Sequence, residues 1–219
     1  MGEKIGLPRR CFIVGAGEVF DYVSLRKLAG DYDFIICADG GYRHCEKLGV
    51  TPDLLVGDFD SIEDIPDNIP RLELPRDKSY TDSYFAVEKA IELGYDYLLM
   101  TGMLGGRLDH TVANLQLLAR CARRGIHCEI LDGQTCSIAM HARQNSNVTM
   151  HLQPMENSYF SVFAMDGACE VEIDGALYPL ESYPLNPFDP RAVSNEFCGN
   201  MVNIGLRGGT IIIIATKKL

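Results

Sequence analysis

Residues 34–61 have the sequence FIICADGGYRHCEKLGVTPDLLVGDFDS, and this stretch decides the fold class. It contains two apolar runs, Phe34–Ala38 and Leu54–Val56, and each is followed by glycine and aspartate. The apolar residues follow one another without alternating with polar ones, which predicts strands that are buried on both faces, as in a parallel sheet. Parallel strands need crossover connections, which are usually helical, so the stretch predicts an α/β unit.

The same alternation of strand and helix extends in both directions through the first 135 residues. Two segments, Asp82–Leu93 and about Asp109–Arg124, carry apolar residues at helical spacing and are followed by a glycine, which is typical of a helix end. Further short apolar runs are predicted as strands: Cys11–Val14, Tyr97–Met100 and Cys128–Leu131.

The pattern changes from about Asn145 onwards. Apolar runs are now separated by Gly, Pro and Asn turns, and no helical stripe is present, which predicts a small all-β unit, either a sandwich or an open barrel. We therefore predict an N-terminal parallel-sheet α/β domain over residues 1–140 and a C-terminal β-sandwich domain over residues 146–219, with the junction at residues 136–147. The predicted strands of the second domain are Val148–Leu152, Tyr159–Ala164, Cys169–Ile173, Asn200–Leu206 and Thr210–Thr216.

The composition excludes several classes of function. A net charge of −10 over 219 residues argues against general binding to nucleic acid and against binding to an anionic membrane surface. No segment approaches the ~18 apolar residues of a membrane span, and no signal peptide is visible, so we expect a cytoplasmic protein. None of the eight cysteines forms a C-x-x-C pair, which favours buried, reduced thiols over a disulfide or zinc framework.

Acidic motifs recur where the predicted strands end or where the next helix begins. In open α/β sheets, ligands bind beyond the carboxyl ends of the strands, so these motifs are expected to converge on one edge. Several carboxylates at such an edge are typical of a site for a divalent metal ion and phosphate. The motifs are Ala38-Asp-Gly-Gly41, Gly57-Asp-Phe-Asp-Ser61, Thr81-Asp82 and Gly105-Gly-Arg-Leu-Asp-His110.

Asp58 and Asp60 are separated by one residue. In an extended segment, this spacing places both carboxylates on the same side, and two such oxygen donors suit Mg²⁺. A turn that uses aspartate for local hydrogen bonds explains the pair equally well when it is considered alone. Asp39 and Asp82 are expected at the same edge, and this favours the metal site.

A polyphosphate ligand also requires positive charges at the site, and Lys78 and Arg107 are the candidates. Either side chain is alternatively an ordinary solvated charge. Arg107 follows two glycines and precedes a predicted helix start, where backbone amides favour anions. His110 is a candidate general base, although a structural role is more common for a histidine at such a position.

Gly15 and Gly17 follow the first predicted strand. They permit either a close approach of phosphate to the backbone or a plain tight turn. The third glycine of a dinucleotide-binding motif is absent, because Phe20 occupies its position, so we discount a dinucleotide site.

Taken together, these motifs resemble those of the thiamine pyrophosphokinase (thiamine diphosphokinase) family over almost the whole chain. The resemblance implies an α/β catalytic domain, a β-sandwich and a homodimer with active sites between subunits. It also implies Mg²⁺ and the reaction ATP + thiamine → AMP + thiamine diphosphate. The matching motifs are A-D-G-G (38–41), P-D-x-x-x-G-D-F-D-S (52–61), K-x-x-T-D (78–82), G-G-R-L-D-H-x-x-x-N (105–114), G-x-L-Y-P-L (175–180) and S-N-E-F (194–197).

The resemblance also implies roles for individual residues. Asp58, Asp60 and Asp82 would hold the metal ion and, with Arg107 and Asp109, form the catalytic set. Ser194 and Asn195 resemble the thiamine-side motif, and Asp109 would also contact thiamine. The implied nucleotide and phosphate contacts are Asp39, Gly40, Gly41, Lys78, Thr81, Gly105, Gly106 and His110.

Two positions depart from the family pattern. Ser79 stands where the family usually has aspartate, which removes one carboxylate and leaves the metal preference open; one hypothesis is that Asp77 replaces it. The chain has no Trp, so stacking on thiamine would depend on Tyr, Phe or an apolar wall, and Tyr178 holds the corresponding region. Two alternative functions remain: a non-catalytic thiamine- or nucleotide-binding protein and, with less support, a D-x-D phosphohydrolase.

Overall fold

The computed structural model describes residues 7–59, 66–167, 169–199 and 201–218. The chain forms two compact units, Met1–Asn114 and Leu115–Leu219, which divide within the helix Leu108–Arg123. The boundaries of the predicted domains, 1–140 and 146–219, stay a prediction.

The first unit alternates strands and helices, as the sequence predicts. The helices fill the connections between parallel strands, because such strands cannot be joined by tight turns. The elements are β1 (Arg10–Val14), α1 (Tyr22–Ala29), β2 (Phe34–Ala38), α2 (Tyr42–Leu48), β3 (Leu54–Gly57), β4 (Arg71–Glu73), α3 (Asp82–Glu92), β5 (Tyr97–Thr101) and α4 (Leu108–Arg123).

The strands of this unit form a parallel sheet in the order β5-β1-β2-β3-β4, which confirms the predicted fold class. The central strands β1 and β2 are largely buried, in agreement with their continuous apolar sequences. Val14 pairs with Thr101, and Ala38 pairs with Val56, so neighbouring strands end at the same edge. Strand β4 has only three residues and is not predicted from the sequence.

Local signals fix the ends of the helices. Thr81 caps α3, and its hydroxyl accepts a hydrogen bond from the Tyr84 amide at 3.2 Å. Asp82 is therefore the first-turn acid of α3 and not its cap. Gly94 follows α3 with φ +85°, and Gly125 follows α4 with φ +74°, as expected of glycines that end helices.

The second unit contains the C-terminal end of α4 and is otherwise built from strands. Alternate residues along β8 and β9 are buried, which is typical of strands with one face in a core. The strands are β6 (His127–Leu131), β7 (Thr135–Leu152), β8 (Ser158–Ala164), β9 (Cys169–Asp174), β10 (Leu180–Leu185), β11 (Asn195–Glu196) and β12 (Val202–Lys217).

Strand β12 is the centre of the second unit. It pairs antiparallel with β7 along its length, with β9 through residues 203–207 and with β8 through residues 211–217. Between these halves, Gly208 and Gly209 have φ values of +64° and +80°, and the pairing with β7 shifts register. Both halves contribute to one apolar core, which includes Ile204 and Ile213. The C-terminal all-β unit is thus confirmed.

Two details of the predicted strands are wrong. The predicted strand Val148–Leu152 is the end of a longer strand, β7, which begins at Thr135 and includes residues 136–147. The two strands predicted on either side of residue 208 belong to one strand, β12, because pairing with β7 resumes after the Gly208-Gly209 break. The predicted strand Cys128–Leu131 is present as β6, which pairs antiparallel with β7.

The cysteines are free thiols, and most of them are buried. None of the helices in the described part of the chain combines the length and the apolar character needed to cross a bilayer. The cytoplasmic location stays a prediction.

Candidate active site

A cavity of about 240 Å³ opens at the carboxyl ends of β1, β2 and β5. Its walls come from the loop after β1, the turn after β2, the start of α3 and the loop between β5 and α4. Several residues that the sequence analysis singles out line this cavity: Asp39, Thr81, Asp82, Gly105, Gly106, Arg107 and His110.

Lys78 lies between two carboxylates next to this cavity. Its Nζ atom is 2.8 Å from Oδ1 of Asp82 and 3.4 Å from Oδ2 of Asp58. The side chains of Lys78, Asp58 and Asp82 are only 10%, 18% and 25% exposed, so water screens these charges incompletely. The lysine thus joins the end of β3 to the first turn of α3. Asp60, the third predicted metal ligand, lies outside the described residues.

The surroundings shift the pKa values of this cluster. Burial raises the pKa of the Asp82 carboxyl, the charges of Asp39 and Asp58 raise it further, and Lys78 opposes them. Burial alone would lower the pKa of Lys78, but its hydrogen bonds and charge interactions with Asp82 and Asp58 raise it above its usual range. Asp39 and Asp58 both interact with Asp82, while one ammonium group contacts only Asp58 and Asp82, so the cluster has an excess of negative charge, which a divalent cation would neutralise.

The donor chemistry of this cluster fits Mg²⁺. Asp58 and Asp82 supply hard carboxylate oxygens, and Mg²⁺ is usually bound by one or two carboxylates with phosphate and water completing its shell. Among the residues that the structure describes, no three His, Cys, Asp or Glu side chains are grouped as metal ligands. Ser79 and Asp77, the positions at which the family pattern is altered, are both exposed.

Strained backbone shapes the acidic turns. Asp39 has φ +41° and Phe59 has φ +58°, which is the left-handed region that bulky residues rarely adopt. The backbone at Phe59 is therefore not extended, and the placement of the Asp58 and Asp60 carboxylates on the same side stays a prediction, because Asp60 lies outside the described residues. Gly57 lies against Asp39, and a Cβ atom at Gly57 would be 3.1 Å from that of Asp39. This contact places the end of β3 beside the end of β2.

The glycines after β1 pack one loop against another. We name residues 15–18 the β1 loop and residues 102–107 the β5 loop. The amides of Gly17 and Glu18 donate to the carbonyls of Gly102 and Leu104 at 2.6 and 2.7 Å. A Cβ atom at Gly17 would be only 2.4 Å from the Leu104 oxygen. Close packing of the two loops therefore explains this glycine, as in the tight-turn alternative, and its amide is not directed at a phosphate.

Arg107 and Asp109 form a two-pronged ion pair. The Nε and Nη2 atoms of Arg107 lie 3.1 and 2.6 Å from the two carboxylate oxygens of Asp109. Hydrogen bonding to Arg107 lowers the pKa of Asp109, although both side chains are exposed. A guanidinium group has five N–H donors, so Arg107 retains donors for a phosphate. Asn114 secures the same region, because its amide donates to the Met103 carbonyl at 2.7 Å.

The second unit has a cavity of about 420 Å³ of its own, lined in part by Leu177, Tyr178 and Asn195. Asn195 is buried and fixes the backbone at Tyr178: its Oδ1 atom accepts from the Tyr178 amide at 3.0 Å, and its Nδ2 atom donates to the Tyr178 carbonyl at 2.7 Å. The backbone of Tyr178 is thus held in place while the residue stays 61% exposed. Ser194 is exposed and has φ +57°, with its amide donating to Ser161.

Asn114 lines the first cavity and the His44 ring lies close to Gly102, which also lines it, and neither residue has a role predicted from the sequence. Asn114 ends the G-G-R-L-D-H-x-x-x-N motif, so the motif itself was a signal for it. His44 carries no such signal, because its hydrogen-bond partners, Gly17 and Tyr22, are 27 and 22 residues away. Only the fold brings these groups together.

Comparisons with known proteins agree with this architecture. Residues 25–130 match the family model described as thiamin pyrophosphokinase, catalytic domain, and residues 141–211 match the model described as thiamin pyrophosphokinase, vitamin B1 binding domain. The thiamine pyrophosphokinase of Bacillus subtilis (strain 168) is 26% identical over 210 residues, which cover 92% of this chain and 96% of that protein.

Solved structures show the same fold. The crystal structure of thiamine pyrophosphokinase from Bacillus subtilis aligns with a TM-score of 0.80 at 22% identity, over 96% of this chain and 100% of that chain. The thiamin pyrophosphokinase from Candida albicans aligns with a TM-score of 0.76 at 14% identity, over 96% of this chain and 90% of that chain.

Proposed function

Because the chain belongs to the thiamin pyrophosphokinase family, we propose that it transfers the diphosphate group of ATP to the hydroxyl of thiamine and releases AMP. The observation that carries this proposal is the acidic cluster around Lys78, at the strand edge where the α/β unit has its cavity. Such a cluster suits a reaction in which positioning and charge neutralisation supply most of the catalysis.

The residues of the first cavity would bind the triphosphate. Lys78 would act as a point charge on phosphate oxygens, and Arg107 would use the donors that Asp109 leaves free. The long helix α4 begins directly after Arg107, and its first amides would add a preference for anions. The remaining nucleotide contacts would come from Asp39, Gly40, Gly41, Thr81, Gly105, Gly106 and His110.

We assign the metal site to Asp58 and Asp82, together with Asp60. Mg²⁺ bound there would neutralise the charge that develops on the phosphate oxygens. The hydroxyl of thiamine would attack the β-phosphorus in line with the departing AMP, and Asp109 would orient that hydroxyl or accept its proton. Arg107 keeps Asp109 ionised, because it lowers the pKa of that carboxyl.

Thiamine would be recognised by the second unit. Ser194 and Asn195 belong to the motif that the resemblance assigns to thiamine, and Asn195 fixes the backbone of Tyr178. The exposed ring of Tyr178 would stack on the vitamin in place of tryptophan. On this proposal, Asn195 acts mainly by holding Tyr178.

The test of this function is AMP formation from ATP and Mg²⁺ with and without thiamine. Thiamine-dependent AMP, with thiamine diphosphate as co-product, is the expected result, and chelation of the metal ion should abolish it reversibly. Phosphate release without thiamine would instead identify a phosphohydrolase. Thiamine binding without turnover would identify a binding protein and would attribute the loss to Ser79.

We also propose that the active protein is a homodimer with active sites between subunits. Exposed apolar residues, including Leu177, Tyr178 and Val193, surround the second-unit cavity, and such patches are typical of interaction surfaces. Light scattering should give a mass near twice the 24.3 kDa of one chain.

If each site draws on both subunits, mixing the Asp82→Asn and Tyr178→Ala variants should restore activity that neither has alone. Each mixed dimer would then contain one intact site. A monomer in solution, or no gain after subunit exchange, would contradict the proposal.

A further inference from the structure

His44 connects two elements that flank the first cavity. It lies in α2, and its Nε2 atom is 2.8 Å from the carbonyl oxygen of Gly17 in the β1 loop. Its Nδ1 atom is 2.7 Å from the hydroxyl of Tyr22, the first residue of α1. The ring is half-buried, so these two contacts are shielded from competing water.

The two partners determine which nitrogen of the neutral His44 ring carries the proton. A carbonyl oxygen only accepts hydrogen bonds, so Nε2 must carry the proton that it donates to Gly17. In the neutral ring, Nδ1 is then an acceptor, and the Tyr22 hydroxyl donates to it. The Gly17 carbonyl therefore selects the tautomer with the proton on Nε2, and the Tyr22 hydroxyl fits this tautomer by donating to Nδ1.

The β1 loop in turn holds the β5 loop. Its Gly17 and Glu18 amides donate to the carbonyls of Gly102 and Leu104, and Gly17 and Gly102 both line the cavity. The His44 ring also lies close to Gly102, since a Cβ atom at Gly102 would be 3.4 Å from the ring carbon Cδ2. The β5 loop ends with Arg107, the proposed phosphate ligand.

We propose that His44 is a positioning residue of the phosphate cavity. In its Nε2-protonated form it holds the β1 loop through Gly17, and the β1 loop holds the β5 loop that presents Arg107 to the phosphates of the nucleotide. The inference rests on the proposed function in naming a nucleotide as the ligand. His44 itself does not touch the reacting atoms.

The surroundings of His44 keep the ring neutral. Burial lowers its pKa, the hydrogen bond to Gly17 opposes this, and the charge of Lys47 lowers the pKa further. The Nζ atom of Lys47 also lies 5.6 Å from the ring centroid of Tyr22, so the same positive charge acts on both His44 and Tyr22. The unfolded chain binds a proton below about pH 6.5 more readily than the folded one, so this histidine should reduce stability as the pH falls below that value.

Two substitutions of His44 distinguish the loss of the hydrogen-bond donor to Gly17 from the loss of the imidazole ring. Glutamine places its amide nitrogen near the position of Nε2 and retains a donor for Gly17, whereas asparagine reaches only to the position of Nδ1. We expect His44→Asn to raise the KM for ATP about tenfold, which corresponds to ~1.4 kcal/mol and lies at the upper end of the range for a single hydrogen bond, with the KM for thiamine unchanged. His44→Gln should stay within about threefold of the parent and should lose the decline in stability below pH 6.5.

Amide hydrogen exchange tests the same link without reference to activity. The amides of Gly17 and Glu18 should exchange about tenfold faster in His44→Asn and at nearly the parent rate in His44→Gln. Leu25→Ala is the matched control, because Leu25 is buried in α1 and its truncation destabilises the protein without removing a hydrogen bond of the β1 loop. This control should leave the KM for ATP unchanged.

Equal effects of asparagine and glutamine would overturn the proposal, as would an equal rise of the KM for ATP in Leu25→Ala. Unchanged exchange at Gly17 and Glu18 in His44→Asn would also overturn it. If the parent protein forms no AMP from ATP and thiamine, the proposed function fails, whereas the exchange rates still decide whether His44 positions the loops.

Discussion

Asp82→Asn is expected to lower turnover by about 10²–10³-fold while the protein stays folded. The substitution removes one of the two described carboxylates that lie beside Lys78 and would share the metal ion. Preorganised groups that face developing charge typically contribute a factor of this size. The measurement is the rate of thiamine-dependent AMP formation at saturating Mg²⁺.

The same variant should be at least as stable as the parent at neutral pH. Burial raises the pKa of Asp82, so the folded chain holds this proton more tightly than the unfolded chain does. Stability is therefore lost as the pH rises through the folded-state pKa, and an uncharged asparagine avoids that loss. Chemical denaturation at pH 7 measures the free energy of unfolding.

Asp31→Asn is the control, because Asp31 is an exposed carboxylate near the end of α1, away from the cavity. It should change neither turnover nor stability appreciably. Turnover of Asp82→Asn within tenfold of the parent would remove Asp82 from the proposed mechanism. Loss of folding in this variant would contradict the stability argument.

Lys78→Met is expected to lower kcat/KM for ATP by about 10²-fold and to destabilise the protein by ~1–3 kcal/mol. The activity falls because a charge on the phosphates is lost. Stability falls because Asp58 and Asp82 are mostly buried and repel each other without the ammonium group between them.

This loss of stability should depend on pH and on metal. It should shrink as the pH is lowered and Asp82 becomes protonated, because the repulsion then disappears. Mg²⁺ should raise the melting temperature of Lys78→Met more than that of the parent, since the cation would replace the positive charge that Lys78 supplies to Asp58 and Asp82. Adding Asp82→Asn to Lys78→Met should recover stability without recovering activity.

Lys89→Met provides a matched control in the same region of the chain. Lys89 pairs with Glu92 on α3 at 3.0 Å, but that pair is exposed and should contribute less than ~1 kcal/mol. The control should leave activity and the Mg²⁺ response unchanged. Equal effects of the two substitutions would show that the position of Lys78 between two carboxylates has no special importance.

Much of the first unit is predictable because its signals are local. Continuous apolar runs gave its main strands, and glycines such as Gly94 mark helix ends whatever the rest of the chain does. The second unit depends on distant pairing. Residues 143–147, Arg-Gln-Asn-Ser-Asn, have the polar composition of a turn, yet they lie within β7 because β12 pairs with residues 135–142 and 147–152. Tertiary context overrides local propensity there.

The candidate site is likewise predictable from the sequence only in part. Its motifs are expected to converge because parallel strands end at one edge, and the acidic cluster follows from that rule. The contact of Lys78 with Asp58 spans 20 residues, and the bond of His44 to Gly17 spans 27, so neither is visible in a local pattern. The left-handed backbone of Phe59 is likewise not visible in a local pattern.

The central place of β12 has a consequence for biosynthesis. The first unit can complete its parallel sheet as soon as its own residues have left the ribosome. In contrast, β7, β8 and β9 cannot complete their pairing until β12 has been translated. Thr135 and Thr216, whose hydroxyls meet across β7 and β12, are 81 positions apart. Until β12 has been translated, the nascent chain exposes unpaired strand edges, which promote association with other chains. A product that stops before β12 would therefore be a substrate for chaperones and proteases, and not merely a shorter enzyme.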